Sequence, residues 1–352
     1  DSKRLFRASM IEKNLKSEAP ESAVKPSVIS SDKGTMGENT LRPKSLEDYI
    51  GQDEVKAHLH VFMEAAKKRK EPLEHLLLHG APGLGKTTLA FILAKEMDAP
   101  LRITSGPALE RPGDLAALLT NLKPNEVLFI DEVHRLKPTI EEILYSAMED
   151  FCLDLVIGKG PSARTMRLKL PKFTLIGATT KLSSLSSPFR DRFGSVIKLE
   201  FYSEKNIEEI VQRSAKLLDM SLESGAAARL AKSSRKTPRI ANRLLRRVRD
   251  FADVHNHNSI NTDLVENTLK MLGVDEHGLD HTDRKLLQII LQQFNGGPVG
   301  LSTLSAATHE EEETIEDIYE PYLMQLGFLE RTPRGRLLTE KVYGYMGLKS
   351  NI

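Results

Sequence analysis

Gly80-Ala81-Pro82-Gly83-Leu84-Gly85-Lys86-Thr87 follows the apolar run Leu76-Leu77-Leu78 and leads into Thr88-Leu89-Ala90-Phe91-Ile92-Leu93-Ala94. Strand, glycine-rich turn and helix in that order make a phosphate-binding loop, a far more specific reading than a tight turn before a helix. Gly83 and Gly85 let the backbone come close to phosphates. The amide hydrogens at the helix start meet them where the dipole also favours negative charge. Lys86 is expected at the β- and γ-phosphates of a nucleoside triphosphate, and Thr87 is expected to ligate Mg²⁺ through its hydroxyl.

Downstream, Glu126-Val127-Leu128-Phe129-Ile130 is a continuous apolar strand ending in Asp131-Glu132. A strand buried on both faces belongs to a parallel sheet, and residues at its carboxyl end face the ligand crevice. On its own an Asp-Glu pair there is an ordinary helix start; behind a phosphate loop, Asp131 is expected to hold Mg²⁺ and Glu132 to act as base toward the attacking water. A third strand, Phe173 to Ala178, ends in Thr179-Thr180, whose hydroxyls are placed to orient that water. Between the second and third strands, residues 153–170 alternate about Gly158-Lys159-Gly160-Pro161, which predicts an inserted β-hairpin and a protruding arm for a partner.

The segment Arg190-Asp191-Arg192-Phe193 has two readings. In a monomer its arginines form surface ion pairs. In a ring, Arg192 reaches a neighbour's γ-phosphate and stabilises the charge that develops there. From Glu204 to Gly273 the pattern is helical, a small lid, in which Arg239 follows Pro238 at a helix start, where the dipole disfavours a cation; an anionic ligand explains it. The last segment reads as three helices and two short strands around Arg331-Thr332-Pro333-Arg334-Gly335-Arg336, a winged helix. Its third helix is acidic, so Arg331, Arg334 and Arg336 of the wing carry the expected DNA contact. No base-reading side chains accompany them, which predicts backbone contact independent of sequence.

The fold class is therefore α/β, a P-loop NTPase with a parallel sheet, a small helical lid and a C-terminal winged helix, an arrangement similar to the AAA+ type. It divides into a leader over 1–40, a large ATPase domain over 41–200, a lid over 201–273, a winged helix over 274–347 and a tail over 348–352. A chain of 352 residues is long enough for several cores. With 50 Lys and Arg against 49 Asp and Glu, the net charge of +1 supplies no global field toward DNA, so contact must come from a local patch. One cysteine, Cys152, excludes an internal disulfide and a cysteine metal cage. The leader mixes Lys, Ser, Glu and Pro without the apolar core of a signal peptide, and no run of 18 apolar residues suggests a membrane span.

Taken in order, the phosphate loop, Phe129-Ile130-Asp131-Glu132, Gly177-Ala178-Thr179-Thr180, Arg190-Asp191-Arg192-Phe193-Gly194, the run from Thr237 to Arg246 and the Arg331 to Arg336 wing resemble the RuvB family of bacterial Holliday junction branch-migration ATPases. The likeness runs from about Leu41 to Gly347. It implies ATP and Mg²⁺ as cofactors, a cytoplasmic homohexameric ring on duplex DNA, recruitment by RuvA through the hairpin, an indirect link to the RuvC resolvase, and a place in the SOS response. It also implies nucleotide contacts from Leu41, Arg42, Gly83, Lys86, Thr87, Thr88, Glu149, Asp150, Phe151, Arg192, Tyr202 and Arg239, and DNA contacts from Arg331 and Arg336. Glu312 and Glu330 depart from the family pattern, leave the winged helix less basic, and imply weaker DNA binding by an isolated subunit. A second function remains open at this point: an ATP switch that assembles on DNA without driving movement.

Overall fold

The computed structural model describes residues 41–157, 164–255 and 259–348. The expected leader, the hairpin tip and the last residues of the tail lie outside them. Five parallel strands form the central sheet: β1 (Leu76–His79), β2 (Leu101–Ser105), β3 (Val127–Asp131), β6 (Thr174–Thr179) and β7 (Ser195–Lys198), in the order β2-β3-β6-β1-β7. The antiparallel pair β4 (Cys152–Ile157) and β5 (Arg164–Lys169) is the inserted hairpin, joined from Cys152↔Lys169 to Ile157↔Arg164.

The apolar runs read as strands are buried on both faces. Leu76, Leu78, Val127, Phe129 and Ile176 enter one core, while Leu77, Leu128, Ile130 and Leu175 enter another. Side chains that alternate between two covered faces explain why these strands carry no polar alternation. The first core continues into the lid through Ile207, Val211, Leu244 and Val248, so the lid is packed on the sheet side of the ATPase domain.

Two strands of the sheet escape the sequence pattern, and both lie at its edges. The five residues of β2 are all half-buried, and β7 exposes Val196 and Lys198 on either side of buried Ile197. The helix Asp53–Arg69 turns Leu59, Met63 and Ala66 inward and leaves Phe62 exposed. Two further helices, Pro112–Thr120 and Pro138–Glu149, begin with proline at the first turn, where its missing N–H costs nothing.

The lid comprises helices Glu204–Leu217, Ala226–Lys232, Pro238–Val254 and Thr262–Met271. The winged helix has its own core around Leu286, Ile290, Leu304, Ile315 and Leu323. It contains helices His281–Gln293 and Leu301–Thr308. A third helical stretch runs from Glu312–Thr314 through a π-turn at Ile315–Tyr319 into Glu320–Gln325. The wing is β8 (Leu329–Thr332) and β9 (Gly335–Leu338), and Val299 adds a backbone bridge to Arg336.

Candidate functional site

Strand register aligns the chemistry. His79 of β1 pairs with Thr179 of β6, Ile130 of β3 pairs with Gly177, and Asp131 closes β3 opposite Ser105. The phosphate loop, Asp131-Glu132 and Thr179-Thr180 therefore leave the same edge of the sheet, the edge at which open α/β sheets bind ligands.

A cavity of about 330 Å³ opens there. Leu41, Arg42, Gly83, Gly85, Lys86, Thr87, Thr88, Asp131, Glu132, Thr180, Tyr202 and Arg239 all line it. The ATPase domain supplies its floor and the lid its roof. Gly83 permits that closure: a Cβ at this position would stand 3.1 Å from Cβ of Arg239, whose backbone N–H donates to the Gly83 carbonyl at 3.4 Å. Gly83 and Gly85 both have positive φ, which only glycine adopts without strain.

Lys86 is buried and its ammonium donates to the carbonyls of Gly80 at 2.7 Å and Ala81 at 3.0 Å. Burial draws its pKa down to about 8, with Arg239 adding to the fall and Asp131 opposing it. The Thr87 hydroxyl lies 3.4 Å from the Asp131 carboxylate. Two hard oxygen donors facing each other beside a phosphate loop suit Mg²⁺, which takes one or two protein ligands and completes its shell with phosphate and water.

Glu132 follows with φ 48° and ψ 45°, a left-handed conformation unusual for glutamate. Its carboxylate is half-exposed and 3.5 Å from Arg135. Gly106 packs directly on the Glu132 carbonyl, where any Cβ would overlap it. Of the two threonines expected to orient water, the structure brings Thr180 to the cavity. Thr179 is buried, 3.0 Å from Nδ1 of His134, and accepts the Lys181 N–H at 3.0 Å. Burial lowers the His134 pKa.

Tyr202, expected among the nucleotide contacts, and several residues not anticipated from the sequence complete the walls. Tyr49 and Tyr202 bring their hydroxyls within 3.1 Å of each other, and both donate to the Leu84 carbonyl, at 3.3 and 3.2 Å. Burial raises both phenol pKa values, keeping them neutral donors. Arg213 of the lid holds the Leu41 carbonyl at 3.0 Å. Asn242 also lines the cavity, and its buried side-chain oxygen has no hydrogen-bond partner among the described residues. No local pattern marks Tyr49, because its partners lie 35 and 153 residues away.

Four expected nucleotide contacts stand elsewhere. Phe151 and Arg192 line a separate hollow with His75 and Phe173, and Glu149 pairs with Arg192 at 3.0 Å. Arg192 also lies 6.0 Å from the Tyr145 ring centre, and Asp150 pairs with Arg167 of the hairpin at 2.7 Å. Gly177, in the central strand, leaves room for Phe193 beside them.

On the wing, Arg334 sits exposed at the turn. Arg331 and Arg336 both engage Glu320, whose side chain is fully buried, and the Arg336 side chain is only 11% exposed.

A P-loop ATPase domain, a helical lid closing over it and a winged helix together define an AAA+ ATPase that acts on nucleic acid. Residues 41–199 match the family model for the Holliday junction DNA helicase RuvB P-loop domain, 202–275 the RuvB AAA lid domain, and 276–347 the RuvB C-terminal winged helix domain. The chain belongs to the RuvB family of branch-migration ATPases. It is similar to the Thermotoga maritima RuvB Holliday junction branch migration motor, at 50% identity over 88% of this chain and 99% of that one, with a TM-score of 0.81. Two point mutants of the Thermotoga maritima protein align with TM-scores of 0.82 at the same identity and coverage.

Proposed function

We propose that this chain assembles into a homohexameric ring in the cytoplasm and uses ATP hydrolysis between subunits to pull duplex DNA through a Holliday junction. The observation that carries this reading is the division of the site. Lys86, Thr87, Asp131, Glu132, Thr180 and Arg239 line one cavity, while Arg192 and Phe151 line another and Glu149 pairs with that arginine. A site split between two faces of one chain is completed when copies pack head to tail around a ring.

Lys86 and the loop amides hold the β- and γ-phosphates. Thr87 and Asp131 would hold Mg²⁺, which would supply charge neutralisation for the triphosphate. Thr180 orients the attacking water, Glu132 accepts its proton, and Arg192 of the neighbouring subunit stabilises the charge gathering on the transferred phosphoryl group. The hairpin β4–β5 is the docking arm for RuvA, which in turn provides the indirect link to RuvC. The wing, through Arg331, Arg334 and Arg336, grips the DNA backbone without reading its sequence.

Mixed rings test the shared site. Subunits carrying Arg192→Ala retain a complete cavity, and subunits carrying Lys86→Ala retain the arginine. Mixing the two is expected to recover ATPase activity that neither shows alone; no recovery overturns the composite site. Movement of a four-way junction by the wild-type chain with RuvA and ATP tests the motor itself. Nucleotide consumption with a stationary junction refutes it.

A further inference from the structure

The helical stretch Glu312–Gln325 is held from three directions. Lys181, the residue after Thr180, lies 3.1 Å from Asp317 and 3.8 Å from Glu316. The other oxygen of Glu316 is 3.2 Å from Arg331 of the wing. One carboxylate is thus shared by the loop that lines the ATP cavity and a cation expected to grip DNA. From the lid, Arg235 donates to the Ile318 carbonyl at 3.4 Å, stacks 4.9 Å from the Tyr322 ring centre and grips Asp283 through two bonds of 3.1 Å. Between these holds lies the π-turn Ile315–Tyr319. Such turns are frequent at functional sites.

We propose that Lys181 and Glu316 link occupancy of the wing to the placement of Thr180, so that they serve the stimulation of ATP hydrolysis by DNA and not basal turnover. The proposal rests on the reading of the wing as the DNA grip. When a backbone phosphate draws Arg331 away, Glu316 is left with a single cation and closes on Lys181. Lys181 is adjacent in the chain to Thr180, and its own N–H is fixed to Thr179, so a pull on its side chain is felt where water is oriented. An ordinary interdomain ion pair is the competing explanation. The Lys181–Glu316 pair is long, at 3.8 Å, and neither side chain is fully buried, so its loss should cost little stability. The fold therefore survives that loss, which makes the coupling measurable.

The test uses the full chain and a blunt duplex of mixed sequence, comparing wild type with Lys181→Ala, Lys181→Arg, Glu316→Gln and Arg331→Ala. Basal ATPase, DNA-stimulated ATPase and duplex affinity are measured for each. Lys181→Ala and Glu316→Gln should keep basal turnover and lose DNA stimulation by at least the ~5-fold of a typical coupling between sites. Lys181→Arg should restore it. Glu316→Gln should bind duplex as tightly as wild type or more tightly, because it competes less for Arg331. If Arg331→Ala weakens duplex binding while Lys181→Ala and Glu316→Gln are stimulated like wild type, the coupling is overturned and the wing reading stands. If Arg331→Ala binds duplex as wild type does, the wing reading fails and takes the coupling with it.

Discussion

The Thr87 hydroxyl and the Asp131 carboxylate stand 3.4 Å apart, joining the first turn after the phosphate loop to the end of β3. Their approach makes a site for a hard cation beside the phosphates. Asp131→Asn should lower the Mg²⁺ dependence of ATP affinity, and turnover by about 100-fold, at the upper end of losses from disturbed metal sites. Titration of a fluorescent nucleotide with and without Mg²⁺ reads this directly. An unchanged Mg²⁺ dependence would remove Asp131 from the role.

Glu132 tests the chemistry rather than binding. Glu132→Gln should bind ATP normally and hydrolyse it at least ~100-fold more slowly, the scale of a lost general base. Gly106→Ala probes the same group indirectly. Its methyl would collide with the Glu132 carbonyl and disturb a backbone held at φ 48°. A displacement of about 1 Å carries up to ~100-fold in rate. Wild-type turnover in Gly106→Ala would show that the backbone position of Glu132 is not critical.

Much of this site was legible because its signals are local. The phosphate loop and Asp131-Glu132 each occupy a few consecutive residues next to apolar strands, and Leu76, Leu128 and Phe129 announce a sheet covered on both faces. The edge strand β2 was not legible, since Arg102, its second residue, pairs with Glu126 at 2.9 Å. An ion pair in a half-buried strand erases the apolar run that a central strand shows. Tyr49 escaped for a different reason, its role existing only in contacts distant along the chain. Glu320 escaped for a third. A carboxylate in an acidic helix reads as repelling DNA until the fold shows it buried against two wing arginines.

If Lys86 holds the phosphates as proposed, it sets a pH limit on nucleotide binding. Its pKa of about 8 lies below the ordinary lysine value because burial penalises the charged form. Phosphate binds the protonated ammonium, so affinity is full below about pH 8 and falls as pH rises through that value. The limiting loss is about tenfold per pH unit for one proton. Lys86→Arg, always protonated, should flatten the profile even where it binds less well. A flat wild-type profile up to pH 9.5 would contradict the buried, depressed lysine.

His75 links stability to acid. Nδ1 accepts the Leu175 N–H at 2.8 Å, so Nε2–H donates to the Met148 carbonyl at 3.0 Å. This neutral tautomer sits beneath Phe151, and burial holds the pKa below the usual 6.5. The folded state binds fewer protons than the unfolded one. Stability is therefore complete above about pH 6.5 and declines as pH falls toward the depressed folded pKa. His75→Phe leaves a buried N–H and a carbonyl unpaired, at about 1–3 kcal/mol each, and should weaken the acid dependence. Denaturant melts at pH 7.5 and 5.5 distinguish the two effects.

The wing arginines should not behave alike. Arg334 is exposed and Arg331 is 44% exposed, whereas Arg336 is almost covered and pinned to Glu320. Each cation that neutralises a phosphate contributes about 0.9 to the slope of log affinity against log salt. Arg334→Ala and Arg331→Ala should each lower that slope by nearly this amount while the domain melts near its normal temperature. Arg336→Ala removes one partner from a fully buried carboxylate, a change that typically costs about 3–5 kcal/mol when the charge is left uncompensated. Arg331 remains on Glu320, so the lower end of that range is expected, with a smaller change in salt slope. Glu320→Gln should relieve the stranded charge and recover part of the stability lost in Arg336→Ala. If Arg336→Ala instead lowers the salt slope fully and melts like wild type, its guanidinium leaves Glu320 for DNA and serves the grip directly.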